Sequence, residues 1–488
     1  MERILIIGAT GYVGGRLVPL LLDEGYRIRC MVRDPRKLEG RGWAGVEIVR
    51  GDVLNLDSLR HAMQGCTVAY YLVHSMGAGE DHFVERDRRA AQNCVTAAAE
   101  CGLKRIIYLG GLGERSDAPS LHLRSRNEVG MILANGPVPV TEFRAAMIIG
   151  SGSASFDMMH ALVNRLPVMV APRWVSTRSQ PISIRDVLRY LVETLRTPAS
   201  AGMVIDIGGT DILSYRDMMQ RLARSLGLTR RIIVVPVLTP RLSSLWVNLV
   251  TPISASLARS LVEGLRSEMI CRSDLARKLF AFEPRGFDES VARALDRIQS
   301  SAVETTWSSA SMAAQPEADT TLSDAQLLSD RREREVNAPA DTVYSVIAAI
   351  GGANGWYFAD GLWRLRGFMD KMIGGVGLRR GRRHPTQLLP GDALDFWRVE
   401  SVEPGRKVVL RAEMKLPGRA WLEFTVEPLG AERSRMIQTA RFYPRGLLGL
   451  GYWYGIYPVH IPVFVGMANA IRRRAEARAL TAQAASTG

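Results

Sequence analysis

Between residues 3 and 150 the chain alternates short apolar runs with stretches of helical periodicity. The runs RILIIG, RIRCMV, VAYYLV and RIIYLG are separated by amphipathic patterns at 13–24, 57–64, 84–101 and 123–134, and VPVTEFRAAMIIG (138–150) supplies a further strand. Strands alternating with helices in this way predict an α/β fold, a doubly wound parallel sheet. Residues 151–298 mix strands and helices, among them PISIRDVLRYLVETL and a long apolar-periodic helix through 241–265, and read as a substrate-side extension packed on that sheet.

The pattern then changes. Residues 299–330 are rich in Ser, Thr, Ala and acidic residues with sparse large apolar side chains, the composition of a flexible linker. Beyond it, EVNAPADTVYSVIAAI (335–350) predicts a strand, a Pro turn and a helix. The runs ALDFWRVESVEP, KVVLRAEMKLP, AWLEFTVEPLG and SRMIQTARFYP predict antiparallel strands, and an apolar helix ending in IRRRAEARAL closes the unit. Residues 331–480 are therefore expected to form a compact α+β domain. Trp356, Tyr357, Phe358, Trp363, Trp397 and Trp421 either fill its core or line a ligand cavity. Arg379, Arg380, Arg382 and Arg383 form a basic cluster whose default reading is a solvated hairpin.

The stretch 446–470, GLLGLGYWYGIYPVHIPVFVGMANA, is long enough to span a bilayer and is followed by Arg472, Arg473 and Arg474. Two prolines, a histidine and five glycines argue against a span, so a core helix is expected, with interfacial attachment as the alternative.

At 488 residues the chain exceeds what one hydrophobic core supports, in keeping with two domains. Its N-terminus, MERILIIGATG, runs straight into a strand and a glycine turn, which makes the cytoplasm the default location, with membrane association left open. Cys30, Cys66, Cys94, Cys101 and Cys271 show no CxxC spacing and no His pairing, so neither a disulfide nor a metal is expected. The net charge of +14 comes without a helix-turn-helix, zinc-finger or RNA-binding signature, which leaves no case for nucleic acid.

The sharpest motif is ILIIGATGYVGG (4–15), where an apolar strand ends at Gly8 and Gly11 and Gly14 open a helix. Glycine at 8 permits a tight turn, at 11 lets backbone approach a pyrophosphate, and at 14 allows close packing of helix on strand. That predicts a dinucleotide. Arg33, after the second strand, stands where NAD enzymes place a carboxylate, which favours the 2′-phosphate of NADP(H) over NAD(H); Asp34 beside it weakens the preference. Asp52, in the Gly51-Asp52-Val53 turn, either accepts from the adenine amino group or caps the next helix. The predicted cofactor contacts are Gly8, Thr10, Gly11, Tyr12, Val13, Gly14, Arg33, Asp52, Val53, Leu72 and Val73.

GATGYVG, Arg33-Asp34-Pro35, Gly51-Asp52 and RIIYLGGLG together resemble the atypical short-chain dehydrogenase/reductases, in their NmrA-like branch, over residues 1–298. The C-terminal domain resembles the helix-grip fold of START-like carriers of lipids and hydrophobic ligands. In active members of the reductase superfamily a Ser follows the strand matching RIIYLGG, and a Tyr-x-x-x-Lys on the next helix relays a proton. Here Gly110 or Gly111 takes the Ser position, and His122 and Arg126 fall at Tyr and Lys.

The resemblance then implies one of two things. His122 serves as general acid with Arg126 reaching the cofactor ribose and phosphate, or the site binds NADP(H) without chemistry, as in NmrA-like redox sensors. His74, ending the fourth strand, is a second candidate acid, and Arg144 stands where such folds place a residue beside the substrate, with a salt bridge as its alternative. The expected function is NADP(H)-dependent oxidoreduction of a hydrophobic small molecule such as a quinone, isoprenoid or lipid. A sensor or assembly factor, like the nucleotide-binding accessory subunit of respiratory complex I, is the competing class. Oligomeric state stays open.

Overall fold

The computed structural model describes residues 2–73, 83–113, 121–235, 262–264, 267–299, 305, 328–378, 382–444 and 446–487. Two compact units emerge, Met1–Pro35 with Gly42–Ala314, and Arg36–Arg41 with Gln315–Gly488.

In the first unit the chain runs β1 (Arg3–Ile7), α1 (Gly14–Asp23), β2 (Arg27–Val32), β3 (Glu47–Arg50), α2 (Leu56–Met63), β4 (Val68–Tyr71), α3 (Phe83–Glu100), β5 (Arg105–Gly111), α4 (Leu121–Ala134) and β6 (Val140–Ala145). With the later strand Val204–Ile207 these make a seven-stranded parallel sheet in the order Val204–Ile207, β6, β5, β4, β1, β2, β3. This is the expected doubly wound α/β fold. The chain reverses direction across the sheet between β1 and β4, the place where open α/β sheets leave a crevice beyond their carboxyl ends. β1 lies at the centre, with Ile4, Leu5 and Ile6 fully buried.

The outer part of the sheet is tied by a buried guanidinium. Arg105, opening β5, donates to Thr141 Oγ1 (2.9 Å), to the Thr194 carbonyl (2.7 Å) and to Ser200 Oγ, linking β5 and β6 to the turn at 194–200. Burial lowers its pKa. The extension beyond β6 has its own core of Phe156, Met159, Met218, Leu222 and Val291. Its helix Tyr215–Ser225 opens with a reciprocal cap between Ser214 and Asp217, and buried Asp186 on the helix Ile184–Glu193 accepts from Arg285 N (2.8 Å) and pairs with its guanidinium. The long helix expected through 241–265 lies outside the described residues except for 262–264.

The second unit is a six-stranded antiparallel sheet in the order Leu328–Val336, Ser434–Pro444, Gly418–Pro428, Lys407–Ala412, Trp397–Glu403, Ala393–Leu394. The first strand begins within the stretch whose composition reads as linker. Six consecutive charged residues, Asp330 to Glu335, run through this edge strand, and charged edges discourage further pairing. Trp356, Trp363 and Trp397 pack with Phe396 in the core, whereas Trp421 is half-buried and donates to Glu400 (3.0 Å).

The basic cluster departs from the solvated hairpin. Arg382 donates to the carbonyls of Ala348 and Ile350, both at 2.6 Å, just past the helix Ala340–Ala348, and burial lowers its pKa to about 10. Arg383 takes both oxygens of Asp392. Unsatisfied carbonyls at a helix end and a buried carboxylate recruit both cations inward; Arg379 and Arg380 lie outside the described residues.

The closing helix, Gly446–Thr487, has 42 residues and is about 63 Å long. Its second half seals the sheet through Phe464, Met467, Ile471 and Ala475. Its first half is largely exposed, so the core reading of 446–470 holds for its end alone. Among the described residues no helix is long and apolar enough to cross a membrane.

His460 sits at the junction of the two halves, its ring stacked on Phe464 at 3.9 Å and its Nε2 3.3 Å from Asp330 Oδ2. Burial holds its pKa below the ordinary 6.5, and Arg332 adds to this while Asp330 opposes it. A histidine whose folded pKa is depressed contributes stability that is present above its unfolded pKa and lost as pH falls through the folded value. Between about pH 7.5 and 5, the thermal midpoint of the wild type should therefore drop about 2–4 °C more than that of His460→Phe, which keeps the ring stack but cannot titrate. Parallel pH profiles would remove His460 from the account.

Candidate functional site

The glycine turn follows β1 at the switch point. Gly8 adopts φ +106°, and a Cβ there would lie 2.7 Å from the Leu72 carbonyl oxygen. The turn closes through Gly11 N donating to Gly8 O (2.9 Å), and Leu72 N donates to Ile7 O (2.9 Å), joining the ends of β1 and β4. A Cβ on Gly14 would come 2.3 Å from Gly8 O, so α1 can approach β1 only with glycine there. Gly11 differs. Its Cβ would meet, among the described residues, only Gly8 O at 3.2 Å, a tight contact but far milder than the one at Gly14.

α1 begins at this turn with Val13 at its N-cap, no side chain capping it and no acidic residue in its first turn. Gly15 N and Arg16 N donate to Gly11 O (3.0 Å) and Val13 O (3.1 Å), and the positive end of the helix dipole is presented to an anion without a side-chain cap. These features fit a dinucleotide pyrophosphate.

Arg33 follows β2 directly and is half-buried, at the carboxyl edge beside the turn. Asp52 makes a local turn: its Oδ1 accepts from Leu54 N (2.9 Å) and its N–H donates to Ser58 Oγ (3.0 Å), while the N-cap of α2 is Asn55, not Asp52. One carboxylate oxygen is therefore committed to the backbone. Asn93 of α3 donates to the Val53 carbonyl (3.1 Å) and fixes this loop. Thr10, Tyr12 and Val13 lie in the glycine turn, and Leu72 and Val73 at the end of β4 are half-buried.

At the end of β5 both glycines lie close to neighbouring side chains. A Cβ on Gly110 would lie 3.1 Å from Glu142 Oε1, and one on Gly111 would lie 2.9 Å from Leu123 Cδ1. Arg126 sits one turn into α4 and donates from Nη2 to the Leu109 carbonyl (2.7 Å), while its own carbonyl accepts from Tyr108 O–H (3.0 Å). Burial pushes the Tyr108 phenol up to about 12, so it holds its proton at neutral pH. Arg126 thereby fastens α4 to β5. His122 falls in the first turn of α4, but its side chain lies outside the described residues, as does all of His74.

Arg144 is in a salt bridge. Its Nε is 2.8 Å from Glu142 Oε1, both side chains project from the same face of β6, and buried Glu142 rests against Gly130 of α4. The carboxylate anchors the guanidinium at the strand end next to β5.

Sequence reasoning missed the support of the glycine turn. Buried Arg16 donates to the Ser151 carbonyl (2.9 Å) and stacks 4.3 Å over Tyr12, while Thr305 Oγ1 donates to the Tyr12 carbonyl (2.9 Å). Thr305 sits in a stretch that composition assigns to a linker, and no local signal marks it.

Residues 8–136 match a family described as NAD(P)H-binding, and residues 322–467 match one described as a protein of unknown function, DUF2867. The chain is similar to photosystem II assembly factor Ycf39 of Cyanophora paradoxa, 24% identical over 242 residues, which cover 48% of this chain and 72% of that protein. It is also similar to a ceramide reductase of Caulobacter vibrioides, 27% identical over 242 residues covering 48% and 73%. Cinnamoyl-CoA reductase 1 of Petunia hybrida is 29% identical over 120 residues, 23% of this chain and 36% of that protein. The first unit is an NAD(P)-binding Rossmann domain.

The two glycines separate binding from folding. Gly14→Ala should cost about 2–3 kcal/mol, seen as a lower urea midpoint, because the backbone has nowhere to move. Gly11→Ala should lower that midpoint much less and weaken NADPH binding at least about tenfold in a fluorescence titration. Equal effects of the two on stability would contradict this division.

Proposed function

We propose that the protein is an NADP(H)-dependent oxidoreductase acting on a hydrophobic small molecule of quinone, isoprenoid or lipid-like character, and that it works in the cytoplasm in association with a membrane. The observation that carries this reading is the bare, glycine-lined N-terminus of α1 at the switch point, with Arg33 beside it. Arg33 would meet the 2′-phosphate as a fixed cation, which is the reason for preferring NADP(H).

When bound, the cofactor supplies or accepts a hydride at the carboxyl edge of β4 and β5. The chain's own residues do the rest. The turn at Gly8, Gly11 and Gly14 binds the pyrophosphate, and the ion pair of Arg144 with Glu142 sets a cation at the substrate side. His122, at the start of α4, would pass a proton to or from the substrate oxygen, with Arg126 positioning that helix through Leu109. The likeness to a ceramide reductase and to cinnamoyl-CoA reductases supports reduction at a carbonyl on an apolar molecule. The second unit, a sheet closed by a long helix, is read as a START-like helix-grip domain that captures the substrate.

A second reading is favoured by the crowding at Gly110 and Gly111 and by the bond that ties Arg126 to Leu109. These leave the usual proton relay without two of its members, as suits an NADP(H) sensor or an assembly factor, and Ycf39 is named as one.

Oxidation of NADPH, followed by its near-ultraviolet absorbance against a panel of quinones, enals and long-chain ketones, separates the two. Turnover that is lost in His122→Ala establishes the enzyme; tight NADPH binding with no turnover across the panel favours the sensor. Arg33→Ala should weaken NADPH about tenfold while NADH changes by less than about twofold, and equal losses for both would remove the 2′-phosphate assignment.

A further inference from the structure

The helix Asp360–Met372 of the second unit has apolar residues on two faces. Inward, Trp363 and Gly367 pack on the core. Outward, Leu365 is 55% exposed, Phe368 53%, Met369 56% and Met372 68%. Spacings of three and four residues place these on one stripe. An outward apolar stripe of this kind is not what a helix facing only water carries.

The first half of the helix Gly446–Thr487 repeats the feature. No charged residue occurs between Arg445 and Arg472, and Leu448 is 82% exposed, with Tyr454, Val459 and Ile461 also exposed. The two helices are linked at two places. At one, Trp363 packs edge-on against Phe464 at 6.0 Å and Phe358 rests on Gly466; at the other, Arg366 donates to the Lys415 carbonyl (3.3 Å) and the Pro417 carbonyl lies against Gly449. At the first place the helices meet directly, and at the second the segment 415–417 lies between them.

We propose that these two exposed apolar stretches dock on an anionic lipid bilayer. Charge supports that occupant. Arg364, Lys415 and Arg419 are exposed around these stretches, whereas Asp370 is turned inward, its carboxylate accepting from Gly377 N (2.8 Å) and Lys415 N (2.7 Å). An apolar stripe rimmed by cations, with tyrosines Tyr454 and Tyr457 among its residues, suits the boundary between headgroups and acyl chains. The outward side chains of Asp360–Met372 offer aliphatic, thioether and aromatic groups with little to hydrogen-bond, where a protein interface would carry about one hydrogen bond per 100–200 Å². Neither helix is apolar enough to cross the bilayer, so the stretches lie on it. The inference goes beyond the redox reading and does not depend on it.

Flotation of the full chain with phosphatidylcholine vesicles, with and without phosphatidylglycerol, tests it. The wild type should float with the anionic vesicles, less so at high salt. Leu365→Glu/Phe368→Glu, and independently Met372→Glu/Ile373→Glu, should each lose partition at least about tenfold while thermal midpoint and NADPH affinity stay unchanged. Lys415→Glu/Arg364→Glu should remove the preference for anionic lipid. A wild type that stays in solution beside both vesicle types overturns the proposal. So does a wild-type dimer, measured by sedimentation, that the apolar-to-Glu variants convert to monomer, since a second copy would then cover the stretches.

Discussion

The contact between Gly14 and the Gly8 carbonyl governs the first unit. With no side chain at 14, α1 settles directly onto the end of β1, and its N-terminus opens at the switch point beside β4. Any Cβ would wedge helix from strand, so binding geometry and packing geometry rest on the same missing atom. The Leu72 carbonyl, pressed on Gly8, extends the constraint to the next strand. Around this turn the molecule spends buried polar groups: Arg16 holds Ser151, and Thr305 holds Tyr12.

Further along the carboxyl edge, side chains have been exchanged for packing. Where a reductase of the resembling superfamily carries serine, Gly110 and Gly111 lie against the side chains of Glu142 and Leu123. Where it carries lysine, Arg126 holds a backbone carbonyl. The first strands and the glycine turn thus keep the architecture of cofactor binding, while the end of β5 and the first turns of α4 are built differently. Fold and chemistry are separable in this way because the turn is backbone and the relay is side chain.

In the second unit one helix performs two tasks. From Phe464 onward it covers the sheet, and before that it presents apolar and aromatic groups outward beside the helix Asp360–Met372. The change falls at His460 and Pro462, where the ring of His460 closes over Phe464 and meets the edge strand at Asp330. Buried Arg382 and Arg383 secure the opposite part of the unit by satisfying carbonyls and Asp392.

The alternation of RILIIG, RIRCMV, VAYYLV and RIIYLG with amphipathic helices determined the parallel sheet, because a strand buried on both faces must be apolar and its crossover must be amphipathic. GATGYVG determined the cofactor class, since its chemistry is local backbone geometry. Tertiary structure alone decided the rest. That Arg126 serves Leu109, that Arg144 pairs with Glu142, that Arg382 leaves a supposed hairpin to cap a helix, and that Thr305 in a polar stretch supports the glycine turn all depend on which distant groups share a buried space. A buried donor takes whatever acceptor packing brings to it, and no spacing along the chain encodes that. The segment 446–470 shows the same division: its apolar composition is plain in the sequence, but which half of it would meet the sheet and which would remain uncovered was settled only by packing.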